Sequence, residues 1–194
     1  MSVLRKIKNM PVSIAIIFMI VLVLAGLILG NRNAVLRASK DVYAELANLQ
    51  SKVAAVSGKA NNYLLIAGRH GITGSEVTKL ETARDDAERL VKRKIPSLGA
   101  TAGVQYNASL SALEIALEAV DARFLAEIVN LPEADQNRAK SERDAAYNGW
   151  RTERAIYTDI EDYNASVLEF RKAWNGVSFK FLFGSYNFQL IGDE

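Results

Sequence analysis

From Asn9 to Asn31 no residue carries a charge, and within that run the segment Pro11–Gly30 is apolar throughout except for Ser13. This stretch limits the possible folds more than any other feature of the chain. At about 1.5 Å rise per residue, a helix of that length covers roughly the 30 Å hydrocarbon core of a bilayer. In lipid every backbone N–H and C=O must be paired within the segment, which a helix achieves and an isolated strand does not. The expectation is therefore a transmembrane helix over 9–31, with Pro11, Ile16, Phe18, Leu22, Leu24 and Leu29 among its lipid-facing anchors, after a basic tail over 1–8.

A cleaved secretory signal is the competing reading, because Arg5, Lys6 and Lys8 form a basic leader. The run is longer than the roughly 7–15 residues of a signal core, and no Ala-x-Ala site follows it. Leu24-Ala25-Gly26 resembles the start of a lipoprotein box, yet Leu27 stands where cysteine is required and the chain has no cysteine. Lys and Arg near the two ends of the span are Arg5, Lys6 and Lys8 before it, with the α-amino group, and Arg32, Arg37 and Lys40 after it. That small excess favours a cytoplasmic amino terminus and a non-cytoplasmic bulk.

The remaining residues, about 160, suffice for one domain with a real core. The 24 basic and 22 acidic side chains are interspersed. Binding to nucleic acid calls for a clustered basic face, so no nucleic-acid partner is expected. The three prolines stand at 11, 96 and 132, which leaves long stretches free to be helical.

Past the span, Val35, Val42, Leu49, Val56 and Tyr63 recur every seven residues, interleaved with Ser39, Leu46, Val53, Ala60 and Ala67. This a/d pattern predicts a helix over 32–67 whose seam faces other helices, either within an intramolecular bundle or in a homo-oligomeric coiled coil. Gly68, Gly71 and Gly74 end it in a turn, where the only histidine, His70, reads as a solvated loop residue. A single histidine without cysteine does not make an ordinary transition-metal site, and no cofactor is expected.

Ser75 is the expected N-cap of a helix over 75–94, whose basic end Lys92, Arg93 and Lys94 suits the helix dipole or anionic head groups. Pro96 and Gly99 separate it from a third helix over 101–129 carrying Leu110, Leu113, Leu117, Val120, Phe124 and Ile128. A fourth helix is predicted over 132–174. Its seam places Glu153 toward partner helices, where a carboxylate requires a basic partner or hydrogen bonds.

Thr152-Glu153, Ile156, Tyr163-Asn164 and Val167 stand in the order and spacing of the C-terminal helix of the LemA family, which the chain resembles as a divergent member. Ile160 replaces an arginine usual before Tyr-Asn, and Phe170-Arg171 replaces a second Tyr-Asn. The resemblance implies a short tail, one spanning helix and an antiparallel helical bundle, with a role in the cell envelope or in membrane organisation and no cofactor.

If four helices alternate in direction, residues 175–194 return toward the bilayer. Phe179, Phe181, Phe183, Tyr186 and Phe188 then suit the lipid–water interface or, alternatively, cap the bundle core. Lys92, Arg93 and Lys94 would arrive at the same level. The fold class expected is all-α: a transmembrane helix continuing into a bundle of about four long helices. The functional expectation is a non-enzymatic, single-pass scaffold or adaptor of a bacterial inner membrane or derived compartment, whose partners are the lipid bilayer, other envelope or membrane proteins and possibly further copies of itself. A sensory ectodomain signalling through its anchor is the alternative. No catalytic set emerges from Glu153, Tyr163 and His70.

Overall fold

A computed structural model describes residues 12–155, 157–177 and 188–192. Among them every regular element is helical. They are α1 (Val12–Arg69), α2 (Ser75–Val91), the short α3 (Ile95–Leu98) with a 3-10 turn over Gly99–Thr101, α4 (Ala102–Ile128), α5 (Glu133–Arg154) and α6 (Tyr157–Asn175).

With no proline inside its 58 residues, α1 loses no backbone donor and runs unbroken out of the apolar stretch into the heptad pattern. Its two halves differ in what surrounds them. Large apolar side chains from Ile16 to Leu29, Ile28 excepted, are 42–65 % exposed. From Val35 onward the seam closes: Val42, Leu46, Leu49, Val53, Val56 and Tyr63 are fully buried, and Ser39 satisfies its hydroxyl on the Leu36 carbonyl at 3.0 Å. Each large side chain buried in this way contributes about 1.5–3 kcal/mol, so the seam outweighs any exposed ion pair in holding the bundle.

The other helices pack around this half of α1. Arg84 of α2 donates to the Asn61 side chain at 2.8 Å, and Gln50 of α1 donates to the Val91 carbonyl at 2.6 Å. Lys52 of α1 lies 3.7 Å from Glu153 in α5 and 4.0 Å from Asp159 in α6. Thus α5 and α6 meet at the level of Lys52, with α5 on the stretch of α1 beyond it and α6 on the stretch before it.

Four expectations change. The predicted fourth helix is two, separated at Ala155 (ψ 95°), although neither proline nor glycine stands there. Ser75 is the first helical residue rather than the cap; Gly74 occupies that position at φ 126°. A side chain on Gly74 would collide with the Arg123 guanidinium, which passes over it to reach Glu76 at 2.8 Å. The second helix ends at Val91, beside Gln50. Lys92, Arg93 and Lys94 are exposed but lie about 30 Å along α1 from Gly30, far from the level of the apolar run. Finally, of the two readings of the aromatic tail, Phe188 follows the core-capping one and not the interfacial one: it is buried, with its ring edge-to-face on Phe170 at 5.0 Å and on Tyr43 at 5.5 Å.

Candidate functional site

Tyr163, Val167 and Phe170 recur at i, i+4 and i+7 on α6 and therefore share its buried face, while Asn164 sits at the edge of that face. Together with α1 and the start of α4 they form a groove that holds residues 188–192 of the same chain. The Tyr163 hydroxyl donates to the Gln189 carbonyl at 2.8 Å. The Asn164 amide acts as a strand neighbour would, donating to the Ile191 carbonyl at 3.0 Å and accepting from the Ile191 N–H at 2.9 Å. Arg171 donates to the Phe188 carbonyl at 3.2 Å, and the Gln189 N–H donates to the Ala100 carbonyl at 3.1 Å. Phe188 and Ile191 point inward and are buried.

Gly103 explains how the groove closes at the α4 end. The Tyr163 ring lies on its bare backbone; a Cβ there would stand 2.6 Å from two ring carbons. Burial pushes the Tyr163 hydroxyl up to about 12, so it remains a protonated donor at neutral pH. Alongside the tail lies an open cleft of ≈690 Å³, lined by Val104, Asn107, Ala108 and Arg171 on one side and by residues 189–192 on the other.

A second polar constellation braces the bundle interior. Asp121 of α4, 7 % exposed, accepts from Tyr63 of α1 and takes both a 2.6 Å hydrogen bond from Nε and a second bond from Nη2 of Arg143 in α5. Arg143 also donates to Asp144 at 2.7 Å and lies 4.6 Å over the Tyr147 ring. Burial first, and Asp121 second, raise the Tyr63 hydroxyl far above its ordinary value; the Asp121 hydrogen bonds raise Arg143. Both carboxylate oxygens are engaged, so this set locks three helices in register.

The residues singled out from the sequence fall as follows. Ile16, Phe18, Leu22, Leu24 and Leu29 are exposed on α1; Pro11 lies outside the described residues, as do Ile156, Phe179, Phe181, Phe183 and Tyr186. Of the LemA-like motif, Tyr163 and Asn164 clasp the tail, Val167 is buried, and Thr152 is exposed with its hydroxyl on the Asn148 carbonyl at 2.9 Å. Glu153 is not enclosed: its side chain is 32 % exposed and its partner is Lys52. The buried acid is Asp121, which sequence reasoning missed. The signal was an aspartate between Val120 and Phe124 on an apolar stripe.

His70 is not a free loop residue either. Its Nε2 is 3.1 Å from Glu142 and its ring stands edge-on to Phe124 at 5.7 Å, beside a cleft of ≈500 Å³. Among the described residues, no group of three or more His, Cys, Asp or Glu side chains is placed to hold a metal ion.

Fold and site together define an all-helical bundle whose central helix extends into one segment long and apolar enough to cross a membrane. Comparison with protein families, curated proteins and solved structures finds no match for this chain.

Proposed function

We propose that the chain is a single-pass, membrane-anchored scaffold of LemA type, in which an antiparallel helical bundle stands on its transmembrane helix and engages other envelope or membrane proteins without catalysing a reaction. The observation that carries this reading is the continuity of α1. One 58-residue helix buries a continuous seam against partners from Val35 onward and is bare over its large apolar side chains from Ile16 to Leu29, Ile28 excepted. A long exposed apolar surface of that kind is costly in water and at home in lipid. The resemblance at Tyr163-Asn164 and Val167 supports the LemA assignment. The margin of one positive charge before the span, which is the α-amino group added to Arg5, Lys6 and Lys8, supports a bulk on the non-cytoplasmic side of a bacterial inner membrane or a derived compartment.

The test is alkaline extraction of membranes from cells expressing the full chain, with size measurement and crosslinking in detergent for the chain with and without residues 1–31. The scaffold reading expects the full chain in the extracted membrane pellet and the shortened chain in the soluble fraction, still folded and still crosslinking to partners through its bundle. A full chain released by alkali overturns the anchor. Loss of every association on removing residues 1–31 overturns the bundle as the scaffolding surface.

A further inference from the structure

We infer that the outward face of α4 pairs with the same face of a second copy, the two chains standing parallel about a two-fold axis.

Ala112, Ile115, Ala119, Ala122, Ala126 and, at the C-cap, Val129 recur at alternating intervals of three and four. They therefore share one side of α4, opposite the buried stripe of Leu110, Leu113, Leu117 and Phe124. Ile115 is 70 % exposed and Val129 64 %, and the four alanines are exposed or half-buried. A helix on the surface of a bundle ordinarily turns polar side chains outward, and one that is apolar on both sides has a partner on both. The intervals are those of a seam between two helices, and alanine lets their axes come close.

The charges beside the seam identify the partner as a second copy. A two-fold interface sets residue i of one chain on residue j of the other and j on i, so it needs opposite charges at one level on its two sides. On the flank that faces α5, α4 carries Glu118, four residues after Glu114, which is bound by Arg154. The other flank meets α2, where Lys79 falls on one side of the helix with Ala83, Asp86 and Leu90, three residues that line a cleft against α4. Arg123 reaches Glu76 near the start of α2, and Leu90 shares that cleft with Ser109. Between these contacts Lys79 comes level with Val120, roughly 3 Å along the axis from Glu118. Both side chains are exposed, and neither has a hydrogen bond or ion pair among the described residues. Each chain thus presents an unpaired acid where its copy presents an unpaired base.

One helix face is smaller than the roughly 800 Å² per partner of a standard soluble interface. The pairing therefore rests on the proposed anchor, which holds copies parallel in one plane and raises their effective concentration.

Because the chain contains no cysteine, the pairing is readable by disulfide trapping of the full chain in membranes. Ile115→Cys stands on the seam and meets its own copy at the axis, whereas Lys140→Cys, exposed on α5, reports random collision. Under mild oxidation Ile115→Cys is expected to give a linked species of about twice 21.3 kDa, at least tenfold above the yield from Lys140→Cys. Adding Glu118→Lys or Lys79→Glu alone should lower that yield at least fivefold, and adding both should restore it. A yield no higher than that of Lys140→Cys overturns the pairing, and a yield indifferent to the charge reversals overturns the two-fold arrangement. Linkage of Ile115→Cys only to species of other mass puts a different protein on the face and overturns the second copy as its occupant. Alkaline extraction of the same membranes separates the two readings: a chain released by alkali fails the anchor, whereas a retained chain without the linked species fails the pairing alone.

Discussion

The hydroxyl of Tyr63 in α1 donates to the carboxylate of Asp121 in α4, joining residues 58 positions apart at the bundle centre, where Arg143 of α5 closes the set. What a substitution costs here depends on which partners remain to the others. Asp121→Ala takes both its bonds from the Arg143 guanidinium, 15 % exposed, leaves it Asp144 alone, removes the acceptor of Tyr63, and is expected to cost about 2–4 kcal/mol. Tyr63→Phe removes one donor and leaves Asp121 with Arg143, for a cost of about 1 kcal/mol. Urea unfolding of the full chain in detergent, followed by circular dichroism, checks both. Equal losses for the two variants would contradict the brace.

Gly103→Ala is expected to destabilise the chain by about 1–3 kcal/mol through overpacking, because the new methyl group meets the Tyr163 ring. The ring must move, taking its hydroxyl away from the Gln189 carbonyl and loosening the tail. Limited proteolysis should cut the C-terminal segment faster in this variant than in the native chain. Adding Tyr163→Leu should relieve the clash and restore part of the unfolding free energy without restoring protection of the tail.

Glu153→Ala should change stability by less than about 1 kcal/mol, since its contact with Lys52 is a partly exposed pair at 3.7 Å. A thermal melt indistinguishable from the native one is the expected outcome; a drop as large as that of Asp121→Ala would restore Glu153 to the core.

Two carboxyls are held below their ordinary value of 4.5: Glu76 by its hydrogen bond from Arg123, and Glu142 by Arg138 first and His70 second. Their folded values lie below the unfolded ones. The stability they supply is therefore complete above the ordinary value and is lost as pH falls through the lowered ones. Melting temperatures measured from neutral pH into the acid range should fall less steeply for the Glu76→Gln, Glu142→Gln variant than for the native chain. Identical acid limbs would contradict these pairings.

Much of the architecture was legible because hydrophobic spacing states it directly. The seam from Val35 to Tyr63 and the stripe from Leu110 to Ile128 follow from periods of seven and of three to four. Three features were hidden from that pattern. The break at Ala155 has no glycine or proline to announce it. Glu153 lies on a predicted seam and Asp121 beside one, next to Val120, and only the arrival of Arg143 from α5 decides that Asp121 is the enclosed acid. The aromatic tail reads on composition either as interfacial or as a cap on the core, and the choice for Phe188, a berth beside Phe170 and Tyr43, depends on a contact across more than a hundred residues.

The central claim is that one helix passes from lipid into the bundle. Single cysteines placed at Leu22 and at Asn48 in this cysteine-free chain, probed with a membrane-impermeant maleimide on sealed vesicles of both orientations, test it directly. Asn48→Cys should label in vesicles that expose the bundle, while Leu22→Cys should stay unlabelled in both orientations until detergent is added. Labelling of Leu22→Cys in intact vesicles would contradict the account.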